Sequence, residues 1–548
     1  MELRNYTPHA ELTYVAPDGS RTVLPQRGNV RCQEEHRSDG AFDSAETLPR
    51  TLVGYGDPDG LPDPEPDVLF VVSQLVVNQC PERGDLVFPS GLLRDQDGSI
   101  IGFERLARPL VPQAIYDPDG PVFFSYRTAD GLEQTDCLDE LLQALGIPVW
   151  RDVRDLQGGN IEKRLDQALT SGLSGAVLVV TPDICSSDIV RRCELPRLLE
   201  ASQGAGRFEL VVANGVPLAP SAHPAMDTAA PENLLPSAGQ LAALKQFDIC
   251  DMAGPGVVDL ARVVLKDYLD GRLARHPLTE GTLTIDVQTR LAASQAMTRT
   301  GDLCIRLDWA AGHTFPQRSG LVALMRIGVI LSNEIYGRGV RVLRLTGGMH
   351  LSVGLTLGAL FTSQRPLPRK LECEHTSHGR ISVWASNQVA PAPRELESWD
   401  EVTPLQEPDA TLMGVAVLVT LSPNAHMAPF QEAVSRLRVQ ETHRWCLADI
   451  HTPLNPEEGA NLAVELGKRI RELAARCRGD VHLFFQGPWP MAVLLGRQLN
   501  TVSLVVYELD EQTDADGATR REYVPALRLQ PGSEPIQEVL LPVSGVCG

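Results

Sequence analysis

The sequence predicts a multidomain α/β protein built on parallel sheets. Apolar runs such as Val122-Phe123-Phe124-Ser125 and Gly175-Ala176-Val177-Leu178-Val179-Val180 are continuous rather than alternating, the pattern of strands covered on both faces. Amphipathic stretches of helical period separate these runs. The length of 548 residues, 43% hydrophobic, suits three or four domains.

Residues 1–115 carry turn signals (Ala16-Pro17-Asp18-Gly19, Asp57-Pro58-Asp59-Gly60) between short apolar runs such as Val68 to Val72 and Asp85 to Pro89. They predict a small, β-containing accessory domain with an acidic, Pro-rich linker at 57–67. A new pattern begins after Asp117-Pro118-Asp119-Gly120 and fills a domain at 120–275. Its strands are Val122 to Ser125, Ile147 to Trp150, Gly175 to Val180 and Phe208 to Val212. Helices are expected at 137–145, 161–169, 238–247 and 256–274. Two similar halves follow at 281–388 and 410–548, split by the Pro- and Glu-rich stretch 389–409. Each opens with an apolar strand (Asp302 to Leu307, Gly414 to Leu421) and continues into a long helix (Leu321 to Ile335, Gly459 to Ala475). Paired α/β halves place a ligand at their junction, beyond the C-terminal strand ends.

The net charge of −21 disfavours binding to long nucleic acid. Residues 281–380 nevertheless hold twelve Arg plus Lys against six Asp plus Glu, a basic island suited to a compact anion or to surface ion pairs. No run reaches the about eighteen apolar residues of a membrane span, and Met1 to Asn5 lacks a signal core. The eleven cysteines include no C-x-x-C pair, so reduced thiols, a cytoplasmic setting and no metal site are expected.

Residues 121–213 resemble a TIR domain in the order of their motifs. Phe123-Phe124-Ser125-Tyr126 matches the first strand. Val149-Trp150-Arg151-Asp152 with Leu156-Gln157-Gly158-Gly159 matches the second strand and BB loop. Ile161 to Ser171, Val177 to Pro182, Ser186-Ser187 and Arg192-Cys193-Glu194-Leu195 complete the series. The resemblance implies a flavodoxin-like parallel sheet and NAD cleavage with Glu194 as catalytic residue. Ser125, Tyr126, Trp150, Asp152 and Ser187 would bind substrate. Where many TIR enzymes carry Trp and Cys before this Glu, the chain has Val190 and Arg191.

Residues 281–512 resemble the SAVED domain, two fused CARF-like, Rossmann-like halves that bind cyclic oligonucleotides. The pieces are Val417 to Ser422, Val481 to Pro490, Gly496 to Asn500, Leu504 to Glu508, Leu307-Asp308-Trp309 and Val340 to Gly348. Phosphates need donors and close backbone approach, and bases need flat faces. Arg318, Arg344, His350 and Arg497 are the candidate donors, Gly347 and Gly348 the close-approach residues, and Trp309 and Trp489 the stacking faces. Ser422 and Gln486 complete the candidate set.

Together the resemblances imply a CBASS-type anti-phage effector. The activator is a cyclic oligonucleotide, with a cyclic trinucleotide the expected ring. NAD+ is the substrate, no cofactor is required, and self-association through the TIR and SAVED domains forms rings or filaments. Two alternatives stand beside it: a non-catalytic TIR scaffold, favoured by Val190 and Arg191, and a nuclease-like N-terminal segment, for which only His9 and His36 offer themselves.

Overall fold

In the computed structural model, the residues described are 2–41, 49–65, 67–80, 83–108, 115–151, 167–204, 207–219, 225–290, 301–310, 312–362, 368–377, 379–388, 394–402, 414–423, 426–513, 519–532 and 534–542. Asp152, most of the BB-like loop and the start of the helix expected at 161–169 lie outside them.

The N-terminal region comprises β1 (Glu2–Asn5), β2 (Glu11–Val15), β3 (Arg21–Pro25), β4 (Arg31–Ala41), β5 (Pro49–Asp59), β6 (Val68–Val71), α1 (Gln74–Gln79), β7 (Leu86–Arg94) and β8 (Ile100–Ala107). Six strands form one sheet in the order β1-β6-β7-β8-β2-β3, and β4 and β5 form a separate ribbon. The acidic run expected to be a linker from residue 57 therefore begins inside a strand, because β5 stays paired with β4 as far as Asp59.

The second unit holds β9 (Val122–Ser125), α2 (Thr128–Ala144), β10 (Val149–Trp150), β11 (Gly175–Val180), α3 (Leu195–Gln203), β12 (Glu209–Asn214), α4 (Ala230–Leu234), β13 (Gln246–Asp248) and α5 (Pro255–Arg275). Its five strands are all parallel, in the order β10-β9-β11-β12-β13. Every residue of β9 and β11 is buried, which explains their unbroken apolar sequences. The strand order reverses between β9 and β11, so a crevice forms at their C-terminal ends. The helix expected over 238–247 is not there. Ala238 has a positive φ of 55° and Gly239 one of 84°, which stop a helix, and the segment instead makes a short turn at Leu241–Ala243 before β13.

The C-terminal region has two sheets. The first contains β14 (Thr282–Gln288), β15 (Leu303–Arg306), α6 (Arg318–Gly337), β16 (Val342–Gly348), α7 (Leu351–Leu360), β17 (Lys370–Ser377) and β18 (Arg380–Ala385), ordered β15-β14-β16-β17-β18. This half opens with β14, not with the expected strand at 302–307. In β14 the apolar Leu283, Ile285 and Val287 alternate with polar residues, and Asp286 is buried against Arg306 at 2.8 Å. Polar residues in a covered strand hide it from a search for continuous apolar runs.

The second sheet contains β19 (Leu396–Val402), β20 (Val415–Thr420), α8 (Met427–Ser435), β21 (Glu441–Leu447), α9 (Pro456–Arg476), β22 (Val481–Gln486), α10 (Trp489–Gly496), β23 (Leu504–Thr513), β24 (Thr519–Leu529) and β25 (Ile536–Val539). The order is β19-β21-β20-β22-β23-β24-β25, with the four central strands parallel. β19 falls within the stretch expected to be a linker. It is an edge strand in which Glu397, Ser398 and Trp399 are exposed, and its sequence Leu396-Glu397-Ser398-Trp399-Asp400-Glu401-Val402 reads like that of a connector. α9 begins where its sequence says it should, at Asn455-Pro456-Glu457-Glu458. There Asn455 and Glu458 form a reciprocal capping box and Pro456 occupies the first turn.

One hydrophobic core runs through the second unit and both C-terminal sheets, taking in α2, α5, α6, α7 and α10. By length and composition α6 is apolar enough to cross a bilayer, but ten of its residues are buried, seven of them in this core. At the centre α7 crosses α10 at glycine-to-backbone distance. A Cβ on Gly358 would overlap the carbonyl of Val493, and one on Gly496 would overlap that of Leu355.

Candidate functional site

Two sites take shape, one in each part of the chain. In the second unit the helix leading into α3 contains a π-turn at Val190–Glu194, where Leu195 N–H bonds Val190 O, five residues back. Such turns insert one residue into a helix, re-aim the side chains after it, and recur at functional sites. Here the turn presents Glu194 to the end of β9, where Ser125 Oγ donates to Glu194 Oε2 at 2.5 Å. Both residues are buried, Ser125 fully and Glu194 with 7% exposure. Ser187 anchors the turn, its Oγ accepting from Val190 N–H at 3.3 Å. Tyr126 is buried next to Ser125, while Trp150 is half-buried and stacks on Phe123 with centroids 4.9 Å apart. Trp150 therefore spends one ring face on the core. Arg151 opens the BB-like loop and is fixed to α2 by ion pairs to Asp136 and, at 3.2 Å, to Asp139.

The second site is a cleft of about 450 Å³ between the two C-terminal sheets, beyond the ends of β14, β16, β20 and β22. Four of the sequence-nominated residues line it: Trp309, His350, Ser422 and Gln486. The loop 307–317 carries Trp309 and ties the halves together. Thr314 N–H donates to Asp510 Oδ1 at 2.8 Å, Glu511 N–H donates to Thr314 Oγ1 at 2.9 Å, and His313 lies 2.8 Å from Asp510. Burial opposes the charge on Asp510, but bonds from His313, Thr314 and Gln512 outweigh it and hold the carboxyl below its ordinary range. Trp309 is 39% exposed, leaving a flat face for stacking.

His350 is no phosphate donor in this arrangement. Its Nε2 meets the carbonyl of Thr314 at 3.0 Å, so that nitrogen carries the proton, and Nδ1 accepts from Thr289 Oγ1 at 2.8 Å. Burial keeps the ring neutral by lowering its pKa. At the start of α7, Ser352 N–H donates to Glu508 Oε1 at 2.6 Å. A helix N-terminus that would attract a phosphate is thus already satisfied by an internal carboxylate.

The other nominated residues are not among those lining the cleft. Arg318 grips the carbonyls of Val539 and Leu541 at 2.5 and 2.6 Å. Arg344 is paired with Glu372 at 2.8 Å. Arg497 is buried and donates to Phe361 O at 2.8 Å and Pro368 O at 3.3 Å. Trp489 is buried at the start of α10, edge-on to His375. Gly347 has a φ of 96°, and a Cβ there would meet Asp286 Oδ1 at 2.6 Å; Gly348 O accepts from Thr289 N–H. These two glycines answer to strand packing.

Arg290, Thr314, Leu351, His426, Phe485, Glu508, Leu509 and Glu511 line the cleft and were not nominated. A carboxylate closing the apolar run Val505-Val506-Tyr507-Glu508 was the available signal. Among the described residues, no group of three or more His, Cys, Asp or Glu is arranged to hold a metal ion.

Residues 332–529 match the family model of the SAVED domain, the SMODS-associated and fused to various effectors sensor domain. The C-terminal region thus carries a SAVED sensor domain. Solved structures similar to the chain include the Acinetobacter baumannii Cap4 SAVED/CARF-domain containing receptor with the cyclic trinucleotides 2'3'3'-cAAA and 3'3'3'-cAAA. Each is 15% identical, covers 67% of this chain and 84% of its own, and has a TM-score of 0.36. The same receptor without a named ligand covers 66% and 83% at a TM-score of 0.32. No curated protein matches the chain.

Proposed function

We propose that the chain is a cyclic-oligonucleotide-activated NAD+ hydrolase, an anti-phage effector of the CBASS type in which a TIR-like, flavodoxin-like unit performs the chemistry and the SAVED domain gates it. The observation that carries the reading is Glu194, a buried carboxylate aimed by a π-turn at Ser125 in the switch-point crevice.

Cleavage breaks the bond between ribose C1′ and the nicotinamide nitrogen. The bonding pair leaves with the ring, which starts as a cation and departs neutral, so no general acid is required. Glu194 stabilises the oxocarbenium-like charge left on the ribose. Water then adds to C1′ and releases a proton, giving ADP-ribose. Ser125 orients the carboxylate. In the cleft, Trp309 stacks a base of the activating ring, expected to be a cyclic trinucleotide, and Ser422 and Gln486 meet its polar edges. Binding there biases a two-state interface, and assembly of TIR-like units through the BB-like loop completes the active sites.

A scaffold role is favoured by one observation: Glu194 is satisfied by Ser125 and nearly excluded from solvent, as a purely structural carboxylate is. NAD loss by the purified protein, measured against cyclic di-, tri- and tetranucleotides with Glu194→Gln alongside, separates the two. Turnover with one ligand, lost in the variant, supports the enzyme. A ligand that binds without any NAD loss moves the scaffold ahead.

A further inference from the structure

Glu508 and Asp510, alternate residues of β23, reach from the same face of the strand to the first half. Both accept from backbone there: Glu508 Oε1 from Ser352 N–H at 2.6 Å, and Asp510 Oδ1 from Thr314 N–H at 2.8 Å. They differ in what the second oxygen meets. Asp510 Oδ2 has His313 Nδ1 at 2.8 Å and Gln512 Nε2 at 2.9 Å, and the residue is fully buried. Glu508 Oε2 meets no donor among the described residues. Glu508 is 4% exposed and, unlike Asp510, lines the cleft, so its second oxygen opens on that space.

Charge decides which part of a ligand can lie against this wall. Among the described residues lining the cleft, β23 contributes the carboxylates Glu508 and Glu511, while the Arg-or-Lys lining is Arg290, just past the end of β14 in the first sheet. Carboxylates repel phosphate oxygens, so a cyclic oligonucleotide turns its bases, not its phosphates, to β23. A carboxylate only accepts, and the exocyclic amino groups of adenine, cytosine and guanine are donors it can meet on a base edge. Trp309, in the same cleft, offers a base a stacking face. A base with no such donor would displace solvent from Glu508 and leave a buried carboxylate oxygen unpaired, which is the larger part of the discrimination.

We propose, resting on the reading of the cleft as the cyclic-oligonucleotide site, that Glu508 sets the base specificity of the sensor. Its Oε2 accepts the exocyclic amino group of one base of the bound ring, so the activator carries an amino-bearing base at that place. Ser352 is the positioning residue: its N–H fixes Oε1 and leaves Oε2 for the ligand.

The test is calorimetric titration of the full chain with cyclic trinucleotides of adenine, cytosine and guanine, each beside the ring in which hydrogen replaces the exocyclic amino group. At least one amino-bearing ring should bind, and its stripped counterpart should bind about tenfold to a hundredfold more weakly, as loss of a bond to a charged acceptor requires. Glu508→Gln keeps an acceptor for Ser352 N–H but puts an amide NH2 where Oε2 stood; turning the amide over sets N–H against N–H at Ser352. That variant, shown by its melting curve to be folded, should bind both rings of the pair alike. The paired rings also read the unaltered chain directly, so the outcome does not depend on the variant. Trp309→Ala runs alongside and should weaken every ring. A ring that Trp309→Ala weakens but that binds equally with and without its amino group overturns the proposal and leaves the cleft reading standing. A preference for the amino group that survives in folded Glu508→Gln does the same. No binding by any ring, or binding indifferent to Trp309→Ala, overturns the cleft reading and the proposal with it.

Discussion

Ser125 Oγ bonds Glu194 Oε2 across 69 residues of sequence, tying the end of the first strand of the parallel sheet to a π-turn in the helix before α3. The bond is short and buried. Ser125→Ala removes a donor to a buried carboxylate and should destabilise the unit by about 1.5–3 kcal/mol. Denaturant unfolding of the two proteins measures this. NAD turnover should fall in Ser125→Ala but remain measurable, whereas Glu194→Gln should show none; equal activity in all three would remove Glu194 from the chemistry.

The two nominated tryptophans should behave in opposite ways. Trp309 is 39% exposed at the cleft, so Trp309→Ala should weaken ligand binding by about 1–3 kcal/mol with little change in melting temperature. Trp489 is 7% exposed at the start of α10, and Trp489→Ala should cost about 3–5 kcal/mol of stability. Titration and thermal melting on the same preparations distinguish them.

The crossing of α7 and α10 leaves no room for a methyl group. Gly358→Ala or Gly496→Ala should destabilise the sensor by at least about 1–3 kcal/mol, since backbone rather than a movable side chain opposes the new atom. Gly379, with nothing near its Cβ position, is the control for crowding, although its φ of 74° adds local strain. A melting temperature unchanged by Gly358→Ala would refute the close crossing.

Acid should weaken the sensor before it weakens a protein without buried imidazoles. Burial lowers the pKa of His350, His375 and His482 below the ordinary value of 6.5. As pH falls through 6.5 the unfolded chain takes up these protons first, so stability that is complete above that value declines towards the lowered ones. Asp510, also lowered, adds a separate loss below the ordinary aspartate value of 3.8. His350→Gln should flatten the stability curve between pH 7 and 5 by up to about 1.4 kcal/mol per pH unit. Chemical denaturation across that range reads the slope.

Much of the architecture could be read from residue patterns, and the exceptions share a cause. The face of α6 made by Leu321, Leu324, Leu331 and Ile335 is visible at helical spacing, and all four are buried. β14 escapes because buried Asp286 breaks its apolar run, and β19 because its acidic sequence reads as a connector. A cleft lies beyond the strand ends of the two halves, yet Arg497 and Arg318 serve backbone carbonyls. An arginine at a strand or helix end looks the same in sequence whether it meets a phosphate or a carbonyl from a distant segment. The partners of Arg497, Phe361 and Pro368, lie more than a hundred residues away. Local pattern carries no trace of them.

The turn after α2 reaches into the first C-terminal sheet: Cys304 N–H donates to Gly146 O at 2.8 Å, and Leu303 lies against the same glycine. Cys304 belongs to β15, the outermost strand of its sheet. The preceding unit therefore shields an otherwise open strand border. Cutting the chain near residue 278 to obtain a freestanding C-terminal region would bare that border, leaving a template on which copies stack strand to strand. Recombining the sensor with an unrelated enzymatic module would succeed only if the newcomer supplied a cover of its own.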